Sequence, residues 1–110
     1  MSYEQFITAV GAGDEARVAI LIDLGINPAY DNNAAVRLAA ANGHSNIVIR
    51  LLRDDRVDPS ADDNAAIREA AANGHSAVVE VLLQDLRVNP NARDNQAIRF
   101  AAKNGHLRVV

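Results

Sequence analysis

Apolar positions along the chain recur in short blocks at helical spacing. Val36, Ala39 and Ala40 stand at i, i+3 and i+4, which makes one stripe on a short helix. Ile47, Val48, Leu51 and Leu52 make the stripe of a second helix, and Asn42-Gly43 separates the two. After a helical stripe, Asn-Gly predicts a helix end with Gly43 left-handed, whereas between alternating strands it would predict a hairpin. The second stripe stops near Asp54-Asp55. Val57-Asp58-Pro59 is predicted to be extended, because proline disfavours helix in the residue before it.

The whole pattern then returns. Pro28, Pro59 and Pro90 are spaced by 31, as are Gly43, Gly74 and Gly105 and the histidines that follow them, His44, His75 and His106. A more diverged copy opens the chain, with Phe6 to Val10, Gly13-Asp14, then Val18, Leu21 and Ile22, and one residue fewer before its proline. A fixed period implies stacked units whose apolar faces cover one another. The predicted helix pairs are 3–11 with 15–24, 34–41 with 45–54, 65–72 with 76–85, and 96–103 with a stub from 107. The corresponding units are a capping repeat over 1–30, repeats over 31–61 and 62–92, and an incomplete fourth over 93–110, all in one domain. Asn33, Asn64 and Asn95 precede first helices and are expected to cap them, and Ser2 with Gln5 matches a capping box.

Composition removes whole classes of chemistry. The 110 residues include no cysteine, so there are no disulfides, thiolate nucleophiles or cysteine-based metal sites. A net charge of −3 without clustered Lys or Arg excludes a nucleic-acid groove. The N-terminus has neither the basic flank nor the apolar stretch of a secretory signal, and no run approaches the roughly 20 apolar residues that span a bilayer. The expectation is a cytoplasmic protein that does not contact membranes. No Ser/His/Asp arrangement, phosphate loop or EF-hand spacing is present, so neither an enzyme nor a cofactor is expected.

Paired helices, an A-A-x-N-G-H turn, a V-V-x-x-L-L second helix and an N-P-x-A segment resemble the ankyrin repeat, over essentially the whole chain. The resemblance implies an all-α solenoid of stacked antiparallel helix pairs with short loops, acting as a non-catalytic scaffold for a protein partner. Two departures stand out. The T-P-L-H opening is replaced by Ala34-Ala35-Val36-Arg37, Ala65-Ala66-Ile67-Arg68 and Gln96-Ala97-Ile98-Arg99. The finger is cut to Asp31-Asn32-Asn33, Asp62-Asp63-Asn64 and Arg93-Asp94-Asn95, so the tips Asp31, Asn32, Asp62, Asp63, Arg93 and Asp94 are expected on stubby turns.

By the same resemblance, a partner would bind through those short loops and through the concave face, which holds Leu38, Ala41, Asn42, Glu69, Ala72, Asn73, Phe100, Lys103 and Asn104, with Thr8 and Gly11-Ala12 matching them in the first copy. The remaining repeated positions read as structural. Stacked helices stand about 8–10 Å apart and metal–nitrogen bonds are about 2 Å, so histidines of successive repeats cannot share an ion. They are expected to bond backbone instead. Arg37, Arg68 and Arg99 are expected to bond carbonyls or carboxylates of the loops, in place of the family's Thr–His bonds. The aspartates at 54, 55, 58, 62 and 63 are expected as solvated loop charges.

The last residues, Leu107-Arg108-Val109-Val110, read as the first turn of a second helix, so an apolar face is expected there, covered either by further repeats or by another copy. Segments 1–30 and 62–92 each carry −3 and segment 93–110 carries +3. That polarity would steer head-to-tail self-association, the alternative to partner binding.

Overall fold

The structure, a computed structural model, describes residues 2–85 together with Arg87 and Val88. Six helices follow one another: α1 (Tyr3–Ala12), α2 (Glu15–Asp23), α3 (Tyr30–Ala41), α4 (Ser45–Leu52), α5 (Ala61–Ala72) and α6 (Ser76–Leu83). No strand occurs among the described residues. Each pair packs internally, α1 stacks on α3 and α3 on α5, while α2 stacks on α4 and α4 on α6. Two helical layers result, with the core between them.

Small residues let the layers close. Ala39, Ala40, Ala70 and Ala71 are all at most 1 % exposed, and Ile47, Val48, Leu51, Val78, Val79 and Leu82 fill the space they face. Truncating one of these larger side chains to alanine typically costs about 2–5 kcal/mol. Because α4 packs against both α2 and α6, truncation there would weaken two interfaces between repeats as well as its own helix pair.

First helices end alike. Gly13, Gly43 and Gly74 are left-handed, and two backbone bonds close each turn, such as Gly43 N–H to Ala40 O at 3.2 Å and His44 N–H to Ala39 O at 2.9 Å. This is the Schellman pattern, which satisfies carbonyls that the helix leaves open. The second helices end differently. In the first copy, Gly25 with φ 110° closes α2 in the same way as the other glycines, whereas after α4 and α6 the side chains of Asp54 and Asp85 accept the backbone N–H of Arg56 and Arg87 at 2.9 Å. The two closures account for the one-residue difference in length. They also correct the helix ends, since α4 and α6 stop at Leu52 and Leu83.

The shortened fingers are not open loops. Asp31, Asn32 and Asn33 have φ of 59°, 53° and 60°, and Asp62, Asp63 and Asn64 have 56°, 59° and 61°, so each triplet forms one left-handed turn leading into a right-handed helix. For L-residues this costs roughly 1–2 kcal/mol per position, least for Asp and Asn. The requirement explains why only those residue types fill both triplets. It also corrects the expected capping role, since neither side-chain oxygen of the pair Asn33 and Asn64 accepts from a backbone N–H of its own helix. Asn33 is buried, and its Oδ1 accepts the N–H of Asp58 at 2.8 Å, from the proline turn that closes the same repeat. Asn64 is equally buried, with no partner for its Oδ1 among the described residues. Asn95 lies outside them. At the start of α1, Ser2 and Gln5 do form the capping box.

Candidate functional site

The inner layer, α1, α3 and α5, bounds a groove of about 750 Å³. Its apolar lining comes from Ile7 on α1 and Leu38 and Ala41 on α3, all half-buried beside buried neighbours, and from the buried Ala65 on α5. Tyr3, Glu4 and Thr8 line it from α1, and Arg68 and Glu69 from α5. Asp31 and Asp62, on the two left-handed turns, stand at the rim. At the Tyr3 end, the phenol donates to Tyr30 O at 3.2 Å, with the two rings edge to face at 4.7 Å. Burial, and after it the negative charge of Asp31, push the Tyr3 hydroxyl above the ordinary tyrosine range.

The groove thus brings together Thr8, Asp31, Arg37, Leu38, Ala41, Asp62, Arg68 and Glu69. Several other positions expected on the same face do not line it. Asn42 donates its Nδ2 to Gly11 O at 3.4 Å, and Asn73 donates to Ala41 O at 2.9 Å. Those same carbonyls meet a ring nitrogen, His44 Nε2 on Gly11 O and His75 Nε2 on Ala41 O, each at 3.0 Å. In both pairs the histidine and asparagine of one repeat converge on a carbonyl at the end of the previous first helix, so Nε2 must carry the proton. Ala72, Asn32 and Asp63 are exposed but stand beyond the groove. Phe100, Lys103, Asn104, Arg93, Asp94, Arg99, Gly105 and His106 lie outside the described residues.

Both described ladder arginines hold the turns. Arg37 donates from Nε to Asn32 O at 3.1 Å and from Nη2 to Asp31 O at 3.4 Å, and its Nη1 stands 3.9 Å from the Asp62 carboxylate one repeat on. Arg68 donates to Asp63 O at 2.9 Å and to Asp62 O at 3.2 Å. A guanidinium over two carbonyls offsets part of the cost of the left-handed turn, since hydrogen bonds to a charged donor are worth about 1.5–3 kcal/mol.

A third arginine, missed in reading the sequence, anchors the outer layer. Arg87 reaches back to Val57 O at 2.5 Å and Leu52 O at 2.6 Å in the preceding repeat, while Asp85 grips it at 2.9 and 2.7 Å. The bonds to Arg87 hold the Asp85 carboxyl below its ordinary range, and the bonds to Arg56 do the same for Asp54. Asp54 and Asp85 are therefore built into turns rather than solvated. Asp58 likewise accepts from Ser60 N–H at 2.9 Å and from Ser60 Oγ at 2.6 Å. The Asp-x-Arg recurrence at 54–56 and 85–87 was the available signal.

Among the described residues no helix is long and apolar enough to cross a membrane, and no group of three His, Cys, Asp or Glu is placed to hold a metal ion. The family model of the ankyrin repeats (3 copies) matches residues 37–110. Comparison with curated proteins finds no match, and comparison with solved structures finds none.

Proposed function

Because the chain belongs to the ankyrin-repeat family, we propose that it is a non-catalytic interaction module that binds a protein partner in the groove of its inner layer. Ankyrin repeats are generally protein–protein interaction modules, typically without catalytic activity. The observation that carries the reading is the floor formed by Ile7 and Leu38. These side chains are only half-buried and face a groove that the inter-repeat bonds leave unfilled. A concave apolar floor with a few convergent polar groups is the ordinary form of a recognition site. The neighbouring asparagines and histidines are committed to stacking, so recognition falls to Thr8, Leu38, Ala41 and Glu69.

Peptides selected from a random displayed library against the folded chain test this. They are expected to lose binding on Thr8→Trp, which fills the groove from an exposed position, and to keep it on Glu80→Lys, an exposed site on α6. Binding indifferent to Thr8→Trp would move the site elsewhere.

A further inference from the structure

We propose that the groove takes a cationic segment of a partner protein, with apolar side chains seated on Ile7 and Leu38 and with Lys or Arg side chains meeting Glu4 and Glu69. The inference rests on the groove being the binding site and adds the chemistry of its occupant.

Glu4, Asp31, Asp62 and Glu69 line the groove against only two cations, Arg37 and Arg68. Both arginines are already seated on the carbonyls of the left-handed turns, and Arg37 also stands near Asp62. Glu4 and Glu69 are exposed and make no ion pair among the described residues. Negative charge therefore faces the groove without a cation of its own. Burying an acidic segment here would set like charges together, whereas a basic one supplies the missing partners.

Spacing adds a second constraint. Glu4 lies on α1 and Glu69 on α5, with Leu38 on α3 between them. Two helix spacings of about 8–10 Å separate the carboxylates by on the order of 20 Å. An extended segment covers that distance in about six residues. The recognised pattern is then two basic residues about six apart, with one or two large apolar residues between.

The library selection described above provides the test, using the full chain. Selected peptides are expected to carry Lys or Arg on either side of Leu- or Phe-type residues. One such synthetic peptide should weaken about tenfold or more on Glu69→Arg and on Glu4→Arg, and should weaken as salt rises. Its Lys/Arg→Glu counterpart should not bind. Neutral or acidic peptides that still lose binding on Thr8→Trp would overturn the cationic occupant while leaving the groove as the site. So would affinities within about twofold of the parent on both charge-reversed variants. Binding insensitive to Thr8→Trp would overturn the groove itself, and the cationic occupant with it.

Discussion

His75 Nε2 meets Ala41 O at 3.0 Å, and the ring of the same histidine leaves no room above Gly43: a Cβ built there would lie 2.6 Å from Nδ1. One side chain thus reads two features of the preceding turn, its open carbonyl and its missing Cβ. His44 stands in the same relation to Gly11 O and Gly13, where a Cβ would lie 3.0 Å from the ring. Among the described residues, then, the glycine of one repeat accommodates the histidine of the next, Gly13 with His44 and Gly43 with His75.

Gly43→Ala is expected to cost about 2 kcal/mol or more, since it adds steric overlap with His75 to the penalty of a left-handed alanine. Urea denaturation of Gly43→Ala, alone and combined with His75→Ala, separates the two contributions. The double variant should be more stable than the sum of the single losses implies, because the overlap disappears while the φ penalty of 77° stays. Strict additivity would mean that ring and glycine are not in contact.

His75→Ala by itself removes a bond to a helix-end carbonyl that Asn73 also serves. A loss of about 1 kcal/mol is expected, with the slope in denaturant unchanged. His75→Ala with Asn73→Ala should exceed the sum of the single losses, since only the pair leaves Ala41 O without a donor from the next repeat.

The left-handed turns make a prediction with two signs. Asn32, exposed and at φ 53°, should tolerate glycine with little loss or a small gain. Asn32→Val should lose about 2 kcal/mol, because a β-branched residue resists positive φ. Arg68→Ala should cost more than about 1 kcal/mol by thermal or chemical unfolding, since two turn carbonyls lose their charged donor. A cost under about 0.5 kcal/mol would reduce this arginine to a surface charge.

Acid should weaken the turns that close α4 and α6 through Asp54 and Asp85. Both carboxyls are held below the ordinary value of 3.8, so protons bind them more weakly in the folded chain than in the unfolded one. Their stabilisation is complete above that value and is lost as pH falls through the lower folded-state value. A carboxyl titration followed by NMR should place Asp85 below 3.8 in the parent chain and return it toward 3.8 in Arg87→Ala. The same variant should flatten the dependence of stability on pH below about 4.

The helices, their pairing and the glycine turns were legible in the sequence because each depends on residues within a few positions of one another. The stripe Ile47, Val48, Leu51 and Leu52 reads as a helix from the spacing of its four positions, and Asn42-Gly43, after the stripe of Val36, Ala39 and Ala40, reads as a helix end from the backbone preference of glycine. The arginine ladder was partly legible. Arg68 could be assigned to the adjacent loop, since its acceptors are only five and six residues away, but the left-handed hand of that loop was not. Three consecutive Asp/Asn residues permit such a turn without demanding it.

Asn33 and Asn42 show where the sequence ran out. One looked like a helix cap and the other like a binding residue, yet their amides serve Asp58, 25 residues onward, and Gly11, 31 residues back. Arg87 was invisible for the same reason, with acceptors 30 to 35 residues before it. By itself the sequence determined a linear stack of helix pairs with a period of 31, because hydrophobic spacing and turn chemistry are local properties. Only the tertiary structure decided which polar side chains lock one repeat to the next and which remain free to face the groove. The stacking offset sets which carbonyl lies within hydrogen-bond reach of which side chain, and that distance is a property of neighbours in space.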